Sequence, residues 1–144
     1  MKHTCCFKSL LLIYCQSYLR RRLLCLIITL ILAGIVALEH LYIMYLETFA
    51  THSDMTSRVF NMSKEELQRD SVTNLFKNQG IYNGLIAVFL LYGIFTSSQL
   101  LVTVFVLNVF FAAIYGAMTA NKKIILTQGG PAILTLLSLI ISLF

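Results

Sequence analysis

The 144-residue chain is 58% hydrophobic and only 12% charged, whereas a soluble globular domain carries about 25% charged residues. Together with a mean hydropathy of +0.83, this composition excludes an ordinary soluble domain and points to an integral membrane protein. The formal net charge of +5 does not indicate nucleic acid as a partner, because five of the 11 Lys and Arg residues crowd into the first 22 positions.

In chain order, residues 1–22 stand apart. Ser9 to Leu19 is largely apolar but too short to span a bilayer, and Arg20, Arg21 and Arg22 follow it. A signal peptide has its basic cluster before the apolar run and a small-residue cleavage site after it, so these flanks are wrong for one. Cys5, Cys6, Cys15 and Cys25 all fall in the first 25 residues. The rest of the chain therefore has no disulfide framework or CxxC motif, which speaks against thiol redox chemistry. We read residues 1–22 as an N-terminal extension that is disordered or upstream of the true translation start, since consecutive Arg codons can be read from a purine-rich ribosome-binding sequence.

A domain of four membrane spans is expected over residues 23–144. The uncharged run Leu23 to Leu38 opens the first, which reaches about residue 49 if Glu39, His40 and Glu47 are embedded. Ala50 to Asn78 is a polar connector too short to bury a core of its own. Within it, Ser63-Lys64-Glu65-Glu66 matches an S-x-x-E capping box, in which hydroxyl and carboxylate satisfy free backbone donors at a helix start. Leu67, Val72, Leu75 and Phe76 would then form one apolar face, suited either to lying on the membrane or to an ordinary connector helix. From Asn78 to Asn121 there are 44 residues without a charge. A bilayer core of about 30 Å takes about 20 helical residues, so this stretch is two spans, about 79–97 and 99–120. Thr96, Ser97, Ser98 and Gln99 mark the turn between them. Ile124 to Phe144 supplies the fourth span, 124–144. The fold class is thus all-α, a four-transmembrane-helix bundle with a short amphipathic connector after the first helix.

Successive spans run in opposite directions, so the polar ends of these helices meet on one side of the bilayer. Glu39, His40 and Glu47 close the first span, Gln79, Tyr82 and Asn83 open the second, Tyr115 and Thr119 close the third, and Gln128 opens the fourth. Together they are candidate lining for a ligand pocket. A charge in hydrocarbon costs roughly 2.5 to 3.5 kcal/mol on insertion scales, so embedded acids default to a functional or bundle-interior reading. His40 and Glu47 are seven apart and return to nearly one helix face, about 10 Å apart along the axis. Glu39 projects from an adjacent face, roughly 13 Å from the helix end. The structural alternative is that His40 bonds a carbonyl and Glu47 snorkels to the interface. Gly80 with Gly84, and Ala112 with Gly116, show the small-xxx-small spacing that lets helices pack closely. The Gln-Gly pair at Gln79 recurs at Gln128, a weak sign that the two hairpins are repeats.

Six basic residues, Arg58, Lys64, Arg69, Lys77, Lys122 and Lys123, fall in the two loops on the polar side. Leaving out residues 1–22, the positive-inside rule puts that side in the cytoplasm and both ends of the four-span core outside.

The residues Glu39-His40, Tyr45-Leu46-Glu47, Asn78-Gln79-Gly80-Ile81-Tyr82-Asn83, Tyr115-Gly116 with Thr119, Gln128-Gly129 and Pro131-Ala132 resemble the small integral membrane family catalogued as domain of unknown function 1304. The resemblance covers about Ile27 to Phe144. It implies a short bacterial four-helix protein beginning directly at the first span, a pattern from which residues 1–22 depart, and it carries no activity. Three functions compete. An acidic intramembrane pocket could bind or transport a proton, a cation or a small molecule. The polar residues could instead specify packing in a structural or assembly protein. An enzyme using His40 with Glu39 or Glu47 as acid and base ranks last, because there is no nucleophile motif or phosphate loop, and no second His in the bundle to build a metal site. No cofactor is implied. The partners expected are the lipid bilayer of the cell membrane and not nucleic acid, with a homodimer left open.

Overall fold

The computed structural model describes the backbone of residues 2–119 and 122–143 and the side chains of residues 16–119 and 122–142. It is all helix: α1 (Lys2–Thr48), α2 (Asp54–Phe60), α3 (Lys64–Leu67), α4 (Asp70–Phe95), α5 (Gln99–Thr119), α6 (Ile124–Thr127) and α7 (Gly129–Leu143). Four segments are long and apolar enough to cross a membrane, namely Gln16–Thr48, Asp70–Phe95, Gln99–Thr119 and Ile124–Ser142.

Helix α1 runs 47 residues without interruption. At 1.5 Å per residue it is about 70 Å long, more than twice the bilayer core. Residues 2–22 are therefore helical and continuous with the first span. The chemistry is plain: no Gly or Pro precedes Gly34, so nothing stops the helix. Helix α4 likewise begins well before residue 79. Hydropathy marks where a helix enters lipid, whereas the helix itself continues into water as long as no breaker intervenes.

The connector folds into two short capped helices instead of one amphipathic one. The Ser53 hydroxyl accepts from the Thr56 N–H at 3.1 Å, and Asn61 ends α2 in the left-handed region at φ 54°. The Ser63 hydroxyl accepts from the Glu66 N–H at 3.2 Å, which is half of a capping box. The Glu66 carboxylate turns away to Arg69 at 3.2 Å. Leu67 is fully buried, while Leu75 stays exposed. At the far end of the bundle, Ser97 takes the left-handed φ of 53° and residues 96–98 reverse the chain between α4 and α5. The fourth span is broken at Gln128. Pro131 has no N–H to give the Thr127 carbonyl, and Gly129 and Gly130 lower helix propensity beside it.

The long helices form a ring in which α1 packs against α4 and α7, and α5 against both of these, leaving α1 and α5 on the diagonal. The core is aliphatic: Ala33, Val36 and Ala37 of α1, Leu90 of α4, Val102, Val106 and Val109 of α5, and Ala132 and Leu139 of α7. Large apolar side chains such as Ile31, Leu38, Phe111 and Leu137 face outward, the arrangement of a bundle solvated by lipid. The connector and the link from α5 to α6 lie at one end of this ring. The start of α1's apolar run, the α4–α5 turn and the end of α7 lie at the other.

Candidate functional site

The buried stripe of α1 runs Ala33, Val36, Ala37, His40, Ile43, Leu46, Glu47, stepping by three and four residues. His40 and Glu47 therefore share the inner face, 3% and 5% exposed. His40 Nδ1 lies 2.9 Å from the Val36 carbonyl. A carbonyl can only accept, so Nδ1 carries the hydrogen and Nε2 is the ring nitrogen that takes up or releases a proton.

Glu47 is tied to the second long helix. The Asn83 Nδ2 amide donates to Glu47 Oε2 at 2.6 Å, a bond that joins α1 and α4. Two glycines make it reachable. A methyl group at Gly80 would collide with Thr48 Oγ1 and sit 3.1 Å from the Glu47 Cβ and the Thr48 backbone nitrogen, and one at Gly84 would lie 2.6 Å from Met44 Sδ. The close approach that Gly80 permits thus brings the α4 backbone onto the residue that carries the carboxylate. At the end of α1, the Thr51 hydroxyl donates to the Glu47 carbonyl at 2.6 Å. The Thr56 hydroxyl donates to the Ala50 carbonyl at 2.6 Å. These bonds seat the connector over the acidic end of α1.

Glu39 is half-buried, and its Oε2 is enclosed without a hydrogen-bond partner among the described residues. Thr48 Oγ1 is enclosed and unpartnered in the same sense. A buried polar atom lacking a partner costs free energy, so one that persists calls for a proton, a water or a ligand. Among the described residues no three His, Cys, Asp or Glu side chains converge as a metal cage.

The remaining candidates stand at the same end of the bundle but on its outside. Gln79 is exposed, and Tyr82 and Tyr115 are 57% and 70% exposed. The exposed Thr119 hydroxyl donates to its own helix at the Tyr115 carbonyl, 2.9 Å away. Gln128 is half-buried at the break, its N–H on the Ile124 carbonyl at 2.9 Å. The buried candidates are thus His40 and Glu47 on the inner face of α1, with Asn83 bonded to Glu47, while Glu39 is half-buried and makes no hydrogen bond with them among the described residues. Of the small residues on α5, Gly116 faces Ile124, but Ala112 is exposed and Ala113 is the buried alanine. The spacing of Val102, Val106, Val109 and Ala113 carried that signal. Sequence reasoning also missed the hydroxyl contact between Thr29 and Ser138, 2.8 Å across the α1–α7 interface. Nothing in sequence separates it from a hydroxyl bonded within its own helix.

A family model described as "Protein of unknown function (DUF1304)" matches residues 21–140, a span that includes every residue of this site. The chain belongs to this family. Among relatives of this DUF1304 chain is the "Uncharacterized protein YpaA" of Lactococcus lactis subsp. lactis (strain IL1403), 63% identical over 114 residues that cover 78% of this chain and 96% of the relative. No solved structure matches the chain.

Proposed function

We propose that this DUF1304 protein is a multi-pass protein of the bacterial plasma membrane that binds a proton or small cation at the Glu39-His40-Glu47-Asn83 cluster and passes it between the bundle interior and the cytoplasmic face. The observation that carries the reading is the enclosed, unpartnered Oε2 of Glu39. It sits next to a histidine whose Nδ1 is committed to the backbone. Two embedded acids and one imidazole on the same helix need a proton or a cation to balance them in a medium that solvates charge poorly. Glu47 is already satisfied by Asn83, which makes it the anchoring acid and Glu39 the exchanging one.

The test uses the full chain in liposomes that enclose a pH-sensitive dye, with a proton gradient imposed across the bilayer. Wild-type liposomes are expected to dissipate the gradient faster than empty ones, and Glu39→Gln liposomes to match the empty ones while the protein keeps its thermal stability. Glu39→Gln should also change the titration of the His40 ring followed by NMR. If flux and titration are both the same in the two proteins, the reading fails. A structural role, favoured by the Glu47–Asn83 bond, would then stand.

A further inference from the structure

At the end of the bundle opposite the acids, α1 and α7 form an open groove of about 610 Å³. This is within the roughly 300–1,000 Å³ of small-molecule sites. Its polar wall is Tyr18, Arg21 and Arg22 of α1, and its apolar wall is Leu24 of α1 with Ile140 and Ile141 of α7. The two walls are held in register where Thr29 and Ser138 meet, both within reach of the Cys25 carbonyl, at 2.9 Å and 3.2 Å.

We propose that this groove is a binding site for one anionic phospholipid, its phosphate on the Arg21 and Arg22 guanidinium groups and its acyl chain along Leu24, Ile140 and Ile141. Three observations carry it. First, the charge is unbalanced. All six Asp and Glu residues of the chain lie between positions 39 and 70, and the described ion pairs belong to the connector. Helix α7 contributes no charged side chain at all. Second, one cation is pre-positioned, because the Arg22 guanidinium carbon stands 5.5 Å over the Tyr18 ring. That contact steadies the group while leaving its N–H donors free for phosphate oxygens. Third, the depth suits an amphiphile and not a free anion. Arg22 directly precedes the uncharged run that starts at Leu23, and Leu24, Ile140 and Ile141 all present exposed apolar surface. A guanidinium at the hydrocarbon boundary with aliphatic side chains on its inner side matches a phosphodiester with the chain that follows it. The site does not depend on the acidic cluster.

The full chain, purified in a neutral detergent, would be titrated with phosphatidylglycerol, phosphatidylcholine or inorganic phosphate. Native mass spectrometry would read stoichiometry, and thermal unfolding would read stabilisation. Phosphatidylglycerol is expected to bind saturably at one per chain and to raise the unfolding temperature, with phosphatidylcholine at least tenfold weaker and millimolar phosphate unable to displace the lipid. The double variant Arg21→Gln, Arg22→Gln changes only exposed side chains and should lose the phosphatidylglycerol preference. Leu24→Trp keeps both charges, fills the groove and should also weaken binding by about tenfold. Equal binding of the two lipids overturns the proposal, as does displacement by phosphate, which would make the site one for a free anion. Loss of the preference in the arginine variant with full retention in Leu24→Trp also overturns it, because diffuse surface charge would then account for the binding.

Discussion

At the scale of single residues, the two glycines of α4 are not equivalent, although the sequence presents them as one GxxxG pair. A side chain at Gly80 meets the Thr48 hydroxyl and also the Glu47 Cβ and the Thr48 backbone nitrogen, at 3.1 Å each, whereas at Gly84 it meets only the side chain of Met44. Met bends out of the way and backbone does not. Gly80→Ala should therefore cost about 1–3 kcal/mol of stability, as overpacking does, and Gly84→Ala much less. Thr48→Ala should recover part of the Gly80→Ala loss, because it removes the colliding hydroxyl, which has no partner of its own among the described residues. Thermal unfolding of the three variants in detergent checks the order, and equal losses at Gly80 and Gly84 would contradict it. The amide beside them gives a second prediction. Asn83→Ala leaves the Glu47 carboxylate buried without its donor and should cost about 0.6–2 kcal/mol, the range for hydrogen bonds between membrane helices. An Asn83→Ala protein as stable as wild type would show that the 2.6 Å bond contributes nothing net. The acids and the amide were legible in the sequence because polar residues are rare in apolar runs. Their pairing was not, because helix phase alone left Gln79, Tyr82 and Asn83 on one broad face, and only packing selects Asn83 as the one that reaches Glu47.

At the scale of elements, the connector is held by unequal fastenings. The Asp54–Lys64 ion pair measures 2.5 Å but is exposed to solvent at both ends. Lys64 holds the Asp54 carboxyl below its ordinary range. A depressed acid contributes its stability above the ordinary carboxylate pKa and loses it as pH falls through the lowered value. The pair therefore operates at neutral pH, and salt screens it. Thr56 is different, fully buried, with its hydroxyl on the Ala50 carbonyl and 3.3 Å from the Leu46 carbonyl. Thr56→Val should loosen the connector at any salt concentration, seen as faster proteolysis between residues 50 and 69. Asp54→Asn should have a small effect that vanishes in high salt. Comparable effects from the two variants would reverse this assignment. The number of spans and the α4–α5 turn could be read from the uncharged runs and the Thr96-Ser97-Ser98-Gln99 cluster. The helix ends could not, since they are set by caps and breakers and not by hydropathy. Ser63 signalled a cap, yet nothing announced that Asn61 would end a separate helix two residues before it.

At the scale of the whole molecule, the six basic residues of the connector and the α5–α6 link stand at the acidic end of the ring, and Arg20, Arg21 and Arg22 project from the other. Reporters fused at residue 23 of a shortened chain and at Phe144 should both be extracellular, by the charge of the two loops. Phosphatase and fluorescence fusions active on opposite sides from this pattern would invert the bundle. Restoring residues 1–22 places five basic residues on the other face and should weaken the bias, which the same fusions on the full chain would register.

The ring order also fixes a sequence of events during synthesis. The bond between Glu47 and Asn83 joins positions 36 apart, while the contact between Thr29 and Ser138 joins positions 109 apart. Nearby segments meet at a smaller loop-closure cost, and the N-terminal parts of a chain leave the ribosome first. The acid is thus paired with its amide while the bundle is still an open array of three helices, and the α1–α7 seam has to wait for the last segment to emerge. Until then the Thr29 hydroxyl lacks its Ser138 partner and the side of α1 that α7 covers is open to lipid. The final helix acts as the closing stave of the barrel, and any delay in its insertion leaves a half-built protein whose polar site is already formed.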